Sequence, residues 1–149
     1  MRIESRDQFE ALRTQARDIE TDRKQQVLVC CGTGCLASGA KKVAEAFASE
    51  IAKRSMDAEV KLFVKSTGCH GFCERGPVVV IKPQGIFYER MQVKDVADVV
   101  EETIVNGNVV ERLLYKDPRT GERIVHEHDV PFYRLQQREI LSMNGLIDP

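Results

Sequence analysis

The sequence lacks an excess of charge of either sign, a long hydrophobic run and an apolar leader, and each absence removes a class of function. Lysine and arginine number 22 against 23 for aspartate and glutamate. There is thus no sequence-wide basic field to hold a phosphate backbone, and nucleic acid is not an expected partner. The longest apolar run, PVVVI at 77–81, is enough for one strand and far short of a membrane span. The opening residues, MRIESRDQFEALRTQARDIETDRK, are dense in charge where a signal peptide needs a continuous apolar core. The expectation is a cytoplasmic chain with no direct membrane insertion. Tryptophan is missing too, yet 42% hydrophobic and 30% charged residues are ordinary for a globular protein and exclude extended disorder as the main state. No G-x-x-x-x-G-K phosphate loop and no recognisable grouping of Ser, His and Asp is found, which counts against an NTPase or a hydrolase. A length of 149 residues suits one domain with appendages.

What is present begins with alternating helix and strand signals. Ser5 followed by Gln8 makes a capping box, and Phe9, Leu12, Ala16 and Ile19 recur at helical period, so residues 5 to about 21 should be helical. QQVLVC reads as a buried strand ended by the glycines of CGTGC. In LASGAKKVAEAFASEIAKRS, Leu36, Ala40, Val43, Phe47 and Ile51 share one helical face, and AEVKLFVKS reads as a second strand. PVVVIKPQGIFYERM is a hairpin signal, with Lys82-Pro83-Gln84-Gly85 suited to a type I turn. VKDVADVVEETIVNG sets Val93, Val96, Val100 and Ile104 at helical spacing and stops at Asn106-Gly107. Strand, helix, strand, hairpin and helix make a small mixed α/β sheet flanked by helices, compatible with a thioredoxin-like fold. An N-terminal helical extension (1–24) precedes this core (25–108). The tail (109–149) has turn signals at KDPRTGE and one more amphipathic helix expected around 133 to 143, and reads as an extension without a core of its own.

Five cysteines in such a chain read as free thiols or metal ligands rather than a disulfide framework. Cys30, Cys31 and Cys35 stand where the first strand enters its glycine turn, and Cys69 and Cys73 stand where the second does. If the two strands are neighbours, four thiolates emerge at one sheet edge, a pair from each loop. Each iron of a two-iron cluster takes two terminal thiolates. Gly32, Gly34, Gly68 and Gly71 would let backbone N–H groups approach the sulfurs, and the helix after Cys35 would add its positive end. Zinc in a protein-binding module fits the spacing as well. Thiol-disulfide exchange is disfavoured, because CCGTGC contains no C-x-x-C. Spacing alone also leaves open whether Cys30 or Cys31 joins Cys35.

VLVCCGTGCLASGA and STGCHGFCERGPVVVI resemble the thioredoxin-like [2Fe-2S] ferredoxin domain, as found at the N terminus of the NADH-binding flavin subunit of complex I-type dehydrogenases, NAD-linked hydrogenases and formate dehydrogenases. The resemblance covers about residues 25 to 149 and rests on C-x4-C followed by C-x3-C. It implies Cys30, Cys35, Cys69 and Cys73 as ligands of a [2Fe-2S] cluster, leaves Cys31 over, and implies one-electron transfer within a multi-subunit NAD(P)H-linked oxidoreductase. The segments VERLLYKDPRTGE and PFYRLQQREILSMNGLIDP are similar to the stretch leading into a flavin domain in such subunits. The glycine-rich segment for flavin and nicotinamide is not in these residues, so FMN and NAD(H) are expected only in a partner or a missing domain. Flavin/NAD(P)H-binding modules and other iron-sulfur subunits are the partners implied, and self-association is left open.

Around the cysteines, His70 invites a Rieske-like reading that four thiolates make unnecessary; it is expected to be a polar loop residue. His126 and His128 are expected at a solvated surface. Arg75 reads as either a cluster counter-charge or a solvated loop charge, and Phe72 as either a shield or a core anchor.

Overall fold

The computed structural model describes residues 3–22, 25–54 and 62–147. Helix α1 (Arg6–Asp22) starts where Ser5 Oγ accepts the Gln8 N–H at 3.2 Å. The Gln8 side chain accepts the N–H of Glu4 at 2.8 Å, one residue earlier than a capping box uses. Its apolar stripe does not reach the core as the periodicity suggests: Phe9 is 51% exposed, Ala16 is exposed and only Leu12 is half-buried. The Ile19 side chain lies outside the described residues.

Strand β1 (Gln25–Cys30) leads through α2 (Thr33–Ala37) and α3 (Ala40–Lys53) to β2 (Leu62–Thr67). The strand expected over AEVKLFVKS is described from Leu62; Ala58 to Lys61 lie outside the described residues. The helix expected from Leu36 onward is two helices, because Gly39 at φ 95° turns the chain between them. Leu36 therefore leaves the buried face and is 45% exposed, while Ala40, Val43, Phe47 and Ile51 pack inward as the 3.6-residue period requires.

Strands β3 (Val79–Lys82) and β4 (Ile86–Tyr88) complete a sheet of order β2-β1-β3-β4. Strand β1 runs parallel to β2 and antiparallel to β3. Both β1 and β2 end at the same edge, with Cys30 opposite Thr67. The hairpin loop differs from the expected type I turn: the Lys82-Pro83 bond is cis, and Gly85 at φ 73° donates its N–H to the Ile81 carbonyl.

The helix expected after the hairpin is continuous but changes its winding. A 3₁₀ turn (Val93–Asp95) runs into α4 (Val96–Asp98) and then a π-helical stretch (Val99–Val105), closed by Gly107 at φ 74°. The tight first turn leaves Val93 51% exposed, and the wider stretch brings Val99 and Thr103 inward beside Val100 and Ile104. Tyr88 and Thr103 hydroxyls lie 2.6 Å apart in this layer.

The tail folds back on the domain. Strands β5 (Tyr115–Lys116) and β6 (Arg123–Ile124) form a hairpin, and their flanks cover β4: Phe87 donates to the Val125 carbonyl at 2.8 Å and Glu89 to that of Leu113 at 2.9 Å. Leu113, Leu114, Tyr115 and Val130 are buried in the common core, so the open edge of the sheet is occupied. The helix expected at 133 to 143 is not formed. Only α5 (Pro131–Arg134) is helical, and turns follow; from them Arg138 reaches across to the His70 carbonyl in the cysteine loop.

Candidate metal centre

Adjacent parallel strands decide where the cysteines stand. Cys30 ends β1, and its N–H is tied to the Val78 carbonyl at 3.0 Å; Cys31 donates to the Thr67 carbonyl at 2.9 Å. Successive residues of an extended chain point to opposite sides. Cys30, buried, therefore faces Cys35, whereas the half-buried Cys31 side chain lies on the other side of the strand against the edge of the core. Cys35 lies inside α2 rather than ahead of a helix, so the expected helix start is at Thr33 and not beyond Cys35. Cys69 and Cys73 come from the loop after β2. Cys30 and Cys35 are each 1% exposed, Cys69 is half-buried and Cys73 exposed.

The two loops interlock through glycines. A Cβ on Gly32 would stand 2.8 Å from Cys69 Cβ and 3.0 Å from its sulfur, and one on Gly34 would stand 3.0 Å from Cys73 Cβ. In return, a Cβ on Gly76 would stand 2.7 Å from Cys35 Sγ. These distances are closer than a side chain tolerates, so the absence of Cβ atoms is what lets the cysteine pairs meet. Gly68 donates its N–H to the Ile147 carbonyl at 3.2 Å and not to a sulfur, and the close approach on this side is made by Gly76. Its place before a proline and a buried strand gave no sign of this.

Backbone donors surround the sulfurs. The Gly71 N–H reaches Cys69 Sγ at 3.2 Å, the His70 and Gly32 N–H groups serve Cys30, and the Val78 N–H serves Cys35. The Cys35 thiol donates to Cys30, which lowers Cys30 to about 5 against the opposing effect of burial, with the His70 and Gly32 N–H groups helping. The same bond, and burial, push Cys35 up. Burial also raises Cys69, partly offset by the Gly71 N–H. All five cysteines are free thiols.

The sulfurs pair two by two, the Cys35 thiol bonded to Cys30 and the Cys69 thiol to Cys73, and the charge of Cys30 also bears on Cys69. Among the described residues no three His, Cys, Asp or Glu side chains gather around one point as a single ion would require. A two-plus-two set of thiols with a glycine cradle and N–H donors fits a binuclear iron-sulfur cluster, in which each iron takes two terminal thiolates.

The neighbours are placed differently from a solvated loop. His70 is 2% exposed; its Nδ1 lies 3.1 Å from Glu127 Oε1 and its Nε2 3.1 Å from Thr67 Oγ1. Burial raises Glu127, but the His70 hydrogen bond and the charges of His70, Lys82 and Arg138 outweigh it and hold the carboxyl below the usual range. Phe72 is a core anchor, stacked on Phe132 with centroids 4.2 Å apart. Arg75 is neither free nor aimed at the cysteines: it lies over the Tyr115 ring and 3.5 Å from Glu89. His126 and His128 stack at 5.5 Å, with His126 Nδ1 donating to the Gln84 carbonyl, away from the site. Glu127, Arg138 and Gly145 were missed, since nothing in their local sequence points to the cysteines.

Comparison with known proteins agrees with this geometry. The sequence model of the thioredoxin-like [2Fe-2S] ferredoxin family matches residues 18–104. A 2Fe-2S ferredoxin of Clostridium pasteurianum is 39% identical over 79 residues, spanning 53% of this chain and 76% of that protein. A 2Fe-2S ferredoxin of Aquifex aeolicus is 34% identical over 84 residues, 54% of this chain and 71% of that one. The solved thioredoxin-like [2Fe-2S] ferredoxin from Aquifex aeolicus superposes with a TM-score of 0.58 at 28% identity, covering 67% of this chain and 97% of its own. With two cysteine pairs brought together on a thioredoxin-like sheet, this chain belongs to the thioredoxin-like [2Fe-2S] ferredoxin family, whose function is electron transfer through a [2Fe-2S] cluster.

Proposed function

We propose that Cys30, Cys35, Cys69 and Cys73 are the cluster ligands, and that the domain passes single electrons within an NAD(P)H-linked multi-subunit oxidoreductase of the hydrogenase, formate dehydrogenase or NADH dehydrogenase kind. The observation that carries the ligand assignment is the two-by-two pairing of thiols from loops after parallel strands, with the glycines of each loop against the cysteines of the other. The parent complex is supported by the resemblance of residues 110–122 and 131–149 to the segment that leads into a flavin domain, which would put FMN and NAD(H) in a neighbouring module.

When bound, the cluster supplies a one-electron redox couple. The chain's own residues set how easily it accepts the electron. Buried Cys30 and Cys35 keep water from one side, and the N–H groups of Gly32, His70, Gly71 and Val78 stabilise the extra negative charge on the sulfurs. Exposed Cys73 and half-buried Cys69 form the side through which the electron enters and leaves.

Anaerobic reconstitution with iron and sulfide tests the assignment. Cys31→Ser should keep the visible absorption of the cluster, and Cys30→Ser should lose or alter it; the opposite pattern refutes the ligand set. For the complex, NADH should reduce the loaded protein only when an FMN-containing NADH-oxidising subunit is added. Reduction by NADH alone would place the nicotinamide site in this chain and overturn the reading.

A further inference from the structure

The residues beyond the family match, which ends at 104, return to the cysteine loop and grip one peptide of it. Arg138 Nη2 donates to the His70 carbonyl at 2.6 Å, and Glu127 Oε1 lies 3.1 Å from His70 Nδ1. Gly145 closes over the imidazole so tightly that a Cβ there would meet Nε2 at 2.9 Å. Phe132 stacks on Phe72 on the far side of the loop. His70 is thus held at its carbonyl, its ring nitrogens and its ring face, mainly by the tail. The peptide whose carbonyl Arg138 holds carries the Gly71 N–H at its other end, and that N–H lies 3.2 Å from Cys69 Sγ.

A loop peptide that is free to rotate spreads its N–H over many directions, whereas one fixed at both ends keeps it on the acceptor. Hydrogen bonds to cluster sulfurs stabilise the more negative, reduced state. We propose that Arg138 and Glu127 are positioning residues that hold His70 and the His70–Gly71 peptide so that the Gly71 N–H stays on Cys69 Sγ, and that the tail thereby sets part of the cluster's reduction potential. This rests on Cys69 being a ligand and is independent of the partner complex.

The sign of the effect separates positioning from simple charge. Removing the Glu127 carboxylate takes a negative charge away from an anionic cluster, which by itself favours reduction and moves the potential up. Loss of a held N–H moves it down. In the full cluster-loaded chain, an EPR-monitored redox titration of Glu127→Ala should give a more negative potential, the ratio of reduced to oxidised cluster at a fixed solution potential falling roughly tenfold for one hydrogen bond lost, about 59 mV for one electron. Glu127→Gln, which keeps an acceptor for Nδ1–H, should stay at or above the wild-type potential. Arg138→Lys retains the charge but not the reach of the guanidinium, folds without an uncompensated deletion, and should also move the potential down. The coupling of the exchangeable Gly71 proton at Cys69, read by ENDOR of the reduced cluster, should weaken in Glu127→Ala and Arg138→Lys. An upward or unmoved potential in Glu127→Ala, or in Arg138→Lys should Glu127→Ala fail to fold, overturns the proposal. If Cys69→Ser loads an unaltered cluster, the ligand assignment has failed instead, and with it the target of the clamp.

Discussion

At Gly32 an alanine would carry its Cβ to within 2.8 Å of Cys69 Cβ and 3.1 Å of its Cα, against backbone that cannot swing aside. The conformation there is ordinary extended backbone, φ −61° and ψ 157°, so the cost is purely steric. Gly32→Ala should therefore lose about 1–3 kcal/mol in chemical denaturation, as over-packing does, and load less cluster. Gly85→Ala is the control: its φ of 73° costs roughly 1–2 kcal/mol, yet nothing lies within 4 Å, and cluster loading should be unchanged. Equal loading in both would remove the cradle from the account. Asp117 gives a pH-dependent case. Its carboxylate accepts the Arg119 N–H at 2.8 Å, which, against burial and with help from the Arg119 side chain, holds it below the usual aspartate range. Its contribution is present at neutral pH and is lost as pH falls below the ordinary aspartate pKa, about 3.9, toward its depressed folded value. Asp117→Asn should flatten the acid side of the stability profile, and an unchanged acid limb would show that the carboxylate plays no part.

Between elements, Tyr88 is the joint that ties β4 to the helix behind it. Its hydroxyl lies 2.6 Å from Thr103 Oγ1 in the π-helical stretch and accepts the Val110 N–H at 3.0 Å, where the tail begins. Tyr88→Phe keeps the ring volume and leaves a buried hydroxyl and an amide without a partner, a cost of about 1–3 kcal/mol. Thermal unfolding should show that loss, and a neutral result would mean that water or a rotated Thr103 satisfies both groups. Periodicity gave the helix here, with Val96, Val100 and Ile104 inward. It did not give the change of winding, because 3₁₀, α and π segments differ by which carbonyl each N–H finds, a choice made by the packing of Val99 and Thr103. At α1 the same periodic signal found no core, since the stripe of Phe9 and Ala16 meets little of the sheet.

Over the whole molecule, the tail is part of the domain's core rather than an appendage hung upon it. Leu113, Leu114, Tyr115 and Val130 are all buried, and burial of four such side chains contributes about 6–12 kcal/mol, comparable to the 5–15 kcal/mol that holds a typical domain together. A chain ending at residue 108 should fail to unfold cooperatively, whereas a sharp transition near that of the full chain would show the core to be self-sufficient without it. Local sequence determined much of this protein: glycine-rich turns at strand ends placed Cys30, Cys35, Cys69 and Cys73, and residue spacing gave the α3 face and the hairpin. These are legible because strand and helix periods relate residues two to four positions apart. Tertiary structure alone decided that Gly76 backs Cys35, that Cys31 stays half-buried against the core while Cys30 and Cys35 are buried, and that Arg138 and Glu127 hold His70. Those last two contacts span 68 and 57 residues of chain; no local pattern encodes them, because only the parallel pairing of β1 with β2 and the return of the tail across β4 bring the partners within bonding distance.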